Sequence, residues 1–401
     1  MVTEVITDSA LITEPTTLFA FLAAILGGVF WLSTLERFKR FFELMPPVIW
    51  AYFLPMFMTT FGVTPDSSVV YEWMSRYLLP FSLFLLMITV DVPAILKLGP
   101  IALVMMATGT VGIVIGGPIA LMVFGGMLPE DAWKGFAALS GSWIGGTANM
   151  VAMKESVGTP DAMLGPIIVV DTVVGYGWMG ILIFLSAVQK KFDNWVNADT
   201  TVIEETNRRL TELDTTRRPS SIADLAGIIG VAFAGTVISI NIAGSLPKMG
   251  DPTIISATTW AVLIVVTIGL VLSFTPMRQM ERAGASRIGF LALYLLLTSI
   301  GAKANLLAVL EAPVFLAAGA LWIAIHIGLL LLVAKLIRAP LFFVATGSMA
   351  NIGGAASAPI VASVYLPAMA PVGLLMAIAG YILGIYAAIG TAWLLGLVAG
   401  T

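Results

Sequence analysis

Long apolar runs separated by short polar breaks set the pattern of this chain. Such runs lie near 17–33, 46–62, 78–96, 101–125, 133–153 and 162–187, and again near 223–244, 254–274, 288–302, 313–337, 340–362 and 367–398. A helix needs ~20 predominantly apolar residues to cross a bilayer, so the pattern predicts an all-α polytopic membrane protein with twelve crossings. The one long polar stretch is 188–221, with six basic and six acidic residues, which reads as a linker. Within it, 201–213 (TVIEETNRRLTEL) is predicted to form a short surface helix.

The two sides of the linker resemble each other. Thr64-Pro65 and Ser75-Arg76 recur as Thr275-Pro276 and Ser286-Arg287, both 211 positions later. LLMITVD (85–91) is echoed by LLTSIGAK (296–303), and GSWIGGTAN (141–149) by GSMANIGGAAS (347–357). Ala162-Met163 and Gly175-Tyr176 match Ala368-Met369 and Gly380-Tyr381. Landmarks kept in one order at a near-constant shift indicate an internal duplication. The first repeat is assigned to 1–190 with an extra N-terminal helix, the linker to 191–221 and the second repeat to 222–401.

Two runs, 133–153 and 340–362, are apolar at their ends and carry Gly, Ser, Thr and Asn in the middle. In the membrane core an open backbone group costs several kcal/mol unless it is satisfied internally. Such interruptions are tolerated where they line a polar cavity: unwound carbonyls can coordinate a cation, and half-helix N-termini attract an anion. A matched pair, one per repeat, points to a solute site. Small residues also serve plain helix packing, but the hydroxyl and amide residues beside the glycines favour the solute site. The predicted cation ligands are Asp171, Thr147, Asn149 and Ser142, with Asp171 the Na⁺ ligand. The predicted solute contacts are Gly145, Gly146, Ser348, Asn351, Gly353, Gly354 and Ser357.

Asp171 stands alone in IIVVDTVVGYGWMG, with no basic residue in its run. A mid-bilayer carboxylate costs ~2.5–3.5 kcal/mol and is by default a functional hypothesis; a structural hydrogen bond to Thr172 or Asn149 is the plainer account. Asp91 and Lys303, near run ends, read as snorkelling or ion-paired groups. His326, alone in an apolar run, reads as a packing histidine rather than a proton relay.

Composition narrows the chemistry. Hydrophobic residues make up 59% of the 401 and charged ones 11%, against about 25% charged in soluble domains. No basic block suggests nucleic acid. The absence of cysteine and the single histidine exclude disulfides, thiol catalysis and His- or Cys-rich metal sites. HExxH and GxGD contexts are missing, which argues against an intramembrane enzyme. No resident cofactor is implied, only Na⁺ or H⁺ as coupling ion. A channel is the remaining alternative.

The paired GSWIGGTAN and GSMANIGGAAS, with Asp171 on the next helix, resemble the YjcL-like family of bacterial membrane proteins (domain of unknown function 819) over essentially the whole chain. The resemblance implies a plan similar to sodium–glutamate symporters, bile-acid symporters and NhaA-type antiporters. That plan has two inverted repeats, a core domain (101–187 and 313–398) with two crossed discontinuous helices, and a panel domain. Antiporters of this plan often carry two adjacent acids where this chain has Val170-Asp171, so the resemblance favours symport. The expectation is a multi-pass protein of the bacterial inner membrane that carries a small organic solute, anionic or zwitterionic, with Na⁺ in preference to H⁺. A homodimer is compatible with this plan.

Twelve crossings create a conflict. They put both termini and the linker in the cytoplasm, with thirteen basic residues in the loops on that side and seven on the other. Yet the interrupted helices are then six crossings apart, which makes the repeats parallel, and Arg37, Lys39 and Arg40 favour the opposite orientation for the first half. Inversion is preferred here over the helix count.

Overall fold

A computed structural model describes residues 10–400 apart from 45–46, 202, 204–205, 207–217, 250–255, 304–311 and 367–368. The surface helix expected at 201–213 lies largely outside the described residues. Those that are described form helices, as a bilayer demands, because a helix satisfies its backbone within one segment.

The first half contains α1 (Pro15–Ser33), α2 (Pro47–Thr60), α3 (Leu79–Ile88, entered through Val69–Trp73 and a π turn), α4 (Pro100–Phe124), α5 (Ala132–Val157) and α6 (Asp161–Leu185). The second contains α7 (Ile222–Gly244), α8 (Ala257–Leu272), α9 (Ala285–Lys303), α10 (Ala312–Ile337), α11 (Leu341–Ile352), α12 (Gly354–Tyr365) and α13 (Ala370–Ala399). Among the described residues seven helices are long and apolar enough to cross a membrane: α1, α4, α6, α7, α9, α10 and α13. Helix ends are capped locally. Glu14 accepts the Thr16 and Thr17 N–H groups at the start of α1 (3.0 and 2.6 Å), and these bonds hold its carboxyl down, to about 2. Ser221 and Asp224 form a capping box on α7.

The helices pack in two groups. One consists of α4, α5, α6, α10, α11, α12 and α13, with α13 against α5 and α4 against α10 as its main contacts. The other joins α2 to α9, α3 to α8 and α9, and α7 to α8, with α1 on its edge. Contact between the groups is thinner and includes Ser256 Oγ and Thr259 Oγ1, which donate to the Ser156 carbonyl at 3.2 and 3.4 Å. The outer helices show apolar side chains outward, such as Ile229, Val237 and Ile242 on α7, as lipid-facing helices do. By contrast all twelve residues of α11 are buried. Asp91 forms an ion pair with Arg278 (2.6 Å) and caps the short helix Val92–Leu96 through the Ala94 N–H (3.0 Å), one of the two roles its sequence position suggested.

The two interrupted runs are not the crossed, through-going helices expected from the sequence; each turns back on itself. In α5 the break falls at Gly145 (φ −140°, ψ 16°) and Gly146 (φ 75°, ψ −175°). Beyond it the chain returns along the first arm. Thr159 Oγ1 donates to the Lys134 carbonyl at 3.0 Å, and a Cβ on Gly141 would lie 2.6 Å from the Asn149 carbonyl oxygen. A continuous helix would put residues 141 and 149 about 12 Å apart.

In the second run the break falls at Gly353 (φ −102°, ψ −8°) and Gly354 (φ 59°). The Leu341 N–H that opens α11 donates to Asp193 (2.8 Å) in the helix just after α6. Tyr365, which ends α12, donates its hydroxyl to the Leu182 carbonyl at 2.7 Å near the end of α6. Both ends of α11–α12 therefore sit at the same end of the bundle. A run of about 25 residues has the length and hydropathy of a spanning helix whether it goes through or returns. Only the glycine pair, which accepts a positive φ at little cost, permits the reversal.

Candidate functional site

The tips of the two hairpins meet. A Cβ on Gly354 would stand 3.8 Å from the Gly146 Cα. Tyr381 of α13 lies against both: a Cβ on Gly146 would be 3.1 Å from its Cε1, and one on Gly354 3.6 Å from its hydroxyl. That hydroxyl accepts the Ala355 N–H at 3.3 Å, one of the donors that a helix start leaves open. Gly380 lets α13 approach closely, since a Cβ there would meet the Ile144 carbonyl oxygen at 2.6 Å.

Beside the tips lies a cavity of about 370 Å³. Asp171 of α6 faces it and accepts a hydrogen bond from Ser142 Oγ at 2.9 Å. The Ser142 bond therefore ties the acid to the first hairpin rather than to Thr172 or Asn149. Of the residues expected at the site, Ser142, Gly146, Thr147, Asp171, Gly353, Gly354 and Ser357 line the cavity. Among the described residues no group of three or more His, Cys, Asp or Glu is gathered anywhere. A cation here would meet one carboxylate, hydroxyls and backbone carbonyls, which is a hard-oxygen donor set.

Four expected residues do not line the cavity, and their polar atoms have other partners. Asn149 donates to the Tyr381 carbonyl at 3.4 Å, and its amide sits between Gly145 and Gly384. Gly145 is the contact that makes room for it. Asn351 accepts from Thr110 Oγ1 (2.8 Å) and donates to the Met106 and Gly347 carbonyls (3.0 and 2.9 Å), tying α11 to α4. Ser348 stands in a buried chain. Trp178 Nε1 donates to Ser348 Oγ at 2.8 Å, and Ser348 lies 2.8 Å from His326 Nε2. His326 Nδ1 is 2.9 Å from the Gly109 carbonyl. A carbonyl only accepts, so Nδ1 carries the proton, and Nε2 accepts from Ser348. His326 is thus a satisfied packing histidine that joins α10, α4 and α11.

Asn351→Ala would remove three buried hydrogen bonds and leave the Thr110 hydroxyl only its longer bond to the Met106 carbonyl (3.3 Å), at about 0.5–1.5 kcal/mol for each bond lost. A clear fall in melting temperature is expected, measured on purified protein, with the sodium dependence of any uptake kept. An unchanged melting temperature would refute the tie.

The cavity's aromatic wall was missed. Tyr176, Phe290, Tyr294 and Tyr381 line it, and Phe290 and Tyr294 stack at 5.8 Å. The signal was present: Gly175-Tyr176 and Gly380-Tyr381 are corresponding landmarks of the two halves. Phe290 and Tyr294 had no such marker, because they come from α9 in the other helix group.

The family described as "Protein of unknown function (DUF819)" matches residues 20–397. The chain is also 27% identical over 344 residues to the "Uncharacterized membrane protein YjcL" of Bacillus subtilis (strain 168), an alignment that covers 82% of this chain and 85% of that relative.

Proposed function

The chain belongs to the DUF819 family, and from that premise we propose that it is a secondary transporter. It carries a small organic solute across the bacterial inner membrane by alternating access, in symport with a cation, Na⁺ in preference to H⁺. The observation that carries this reading is the meeting of two half-membrane hairpins, tip to tip, beside a single carboxylate in a cavity. Open backbone groups at mid-membrane are costly unless they serve a polar site. In this reading Asp171, Ser142 and Thr147 hold the cation, and the second tip, with Ser357, holds the solute.

The hairpins also favour inverted repeats, because they remove the conflict in the helix count. If α5 and α11–α12 do not cross, each half crosses five times. The second half then runs upside down relative to the first, and the hairpins enter from opposite faces. Charge agrees. Arg76, Lys134, Lys154, Lys248 and Lys303 fall on the side of the α5 ends. The other fifteen of the twenty Lys and Arg residues, by their place in the chain, fall on the linker side. They include Arg37, Lys39 and Arg40. By the positive-inside rule the linker is cytoplasmic, and the start of α1 and the end of α13 face outward.

The α4–α6 and α10–α13 group acts as the core domain and the other helices as the panel. The cavity reaches Phe290 and Leu374, close to the linker-side ends of α9 and α13. On the opposite side Ser256 and Thr259 bond the Ser156 carbonyl. This is the arrangement of an inward-facing state.

Two measurements test the reading. Protein in liposomes should accumulate solute only under a sodium gradient; flux that ignores the gradient would favour a channel and overturn it. The chain has no cysteine, so Arg76→Cys and Arg287→Cys can each be labelled from one side with an impermeant thiol reagent. Opposite faces are expected, and labelling from the same face would end the inversion.

A further inference from the structure

The charge inventory of the cavity constrains the solute. Among the described residues its lining contains one acid, Asp171, and no lysine, arginine or histidine. The rest is aromatic (Tyr176, Phe290, Tyr294, Tyr381), hydroxyl-bearing or aliphatic. Net charge enclosed in a low-dielectric site is expensive unless it is paired. With one Na⁺ on Asp171 the filled site is already neutral. A solute that is itself an anion would add an unbalanced charge, and a simple amine would do the same with opposite sign. Only a solute of net charge zero leaves the occluded site neutral.

The lining suits both poles of such a solute. Tyr176, Tyr294 and Phe290 line the cavity together with Asp171, and aromatic rings attract an ammonium group. Tyr381 Oη, against Gly146 and Gly354, accepts the Ala355 N–H at 3.3 Å. A solute carboxylate can replace this long contact and also contact the bound Na⁺, gaining a charge-assisted bond. We infer that the transported solute is a small zwitterion of the α-amino-acid type with an uncharged side chain, bound with one Na⁺. This deepens the transport reading and rests on it. Of the anionic and zwitterionic solutes that the half-helix dipoles would both suit, it selects the second.

The test uses the full chain in liposomes with four probe classes: L-alanine, L-serine and L-methionine as zwitterions; acetate and lactate as monoanions; succinate and glutamate as net anions; ethanolamine as an amine. Sodium-dependent uptake and sodium-dependent thermal stabilisation are measured for each. At least one zwitterion should give both, with the other classes at least tenfold weaker. Its uptake should speed up several-fold under an inside-negative potassium-diffusion potential, because one positive charge moves per cycle. Sodium-driven uptake of succinate, glutamate or a monoanion in preference to the zwitterions overturns the inference and leaves the transport reading standing. So does potential-independent uptake, or sodium binding with no response to any probe. Failure to bind sodium and to move any probe overturns the transport reading itself.

Discussion

Asp171→Asn is expected to abolish sodium-dependent uptake while leaving expression and folding intact. The asparagine side chain keeps the shape and an acceptor for Ser142 Oγ, now 2.9 Å from the carboxylate, so the first hairpin stays tied to α6. What is lost is the one charge that the described residues bring to the cavity to compensate a cation. Removing one member of a buried, hydrogen-bonded charge pair costs about 2–5 kcal/mol, so sodium affinity should fall at least about 30-fold. The sign for stability without sodium is the reverse. An unpaired mid-membrane carboxylate costs ~2.5–3.5 kcal/mol, so the variant should be at least as stable as the parent in sodium-free buffer. It should also gain nothing when sodium is added, because stabilisation by a ligand requires binding to the folded form. Sodium titrations of the melting temperature, run beside uptake, separate these effects. Uptake within threefold of the parent, still sodium-dependent, would remove Asp171 from the cation site.

Gly146→Ala is the second large effect, and it probes the hairpin rather than the charge. Gly146 has φ 75° and ψ −175°, a region that is essentially glycine-only, where another residue costs about 1–3 kcal/mol. Its new Cβ would also lie 3.1 Å from Tyr381 Cε1, a contact that the Tyr381 ring relieves by shifting away from the tip. Since Tyr381 also packs on Gly354, a shift there disturbs both tips. The variant should lose a few degrees of melting temperature and most of its uptake. Gly227→Ala on α7 is the control, because a Cβ there meets nothing within 4 Å and alanine is a better helix former. It should leave melting temperature and uptake close to those of the parent. Equal behaviour of the two variants would mean that the break at Gly146 carries no conformational demand.

The pattern of apolar runs was enough for the helices. The places of the twelve runs correspond to helical segments, and the two interrupted ones are interrupted at the glycine pairs, Gly145-Gly146 and Gly353-Gly354. Asp171 was legible because a lone acid among IIVV and TVV has no cheap explanation in a bilayer. Hydropathy along one dimension could not tell a helix that passes through the membrane from two arms that return, since both need the same length of apolar chain. The count of crossings, and with it the side on which Arg37 falls, therefore rested on one assumption, that 133–153 and 340–362 pass through.

Nor could the sequence sort the polar residues of the breaks. Asn149, Ser348 and Asn351 look like Ser142, Thr147 and Ser357 on paper. What separates them is the partner each meets across the fold: the Tyr381 carbonyl, the Trp178–His326 pair and the Thr110–Met106 turn, all distant in the chain or on another helix. A buried polar group goes where its hydrogen bond is satisfied, and that depends on which helices touch.

Composition and spacing by themselves determined that this chain is a helical membrane protein and that it opens its backbone twice near a lone acid. Tertiary structure decided that the openings are hairpin tips meeting at Tyr381, and which hydroxyls line the cavity beside them. The physical reason is that burial in lipid is written into each segment locally, whereas direction of travel and hydrogen-bond partnership exist only between segments.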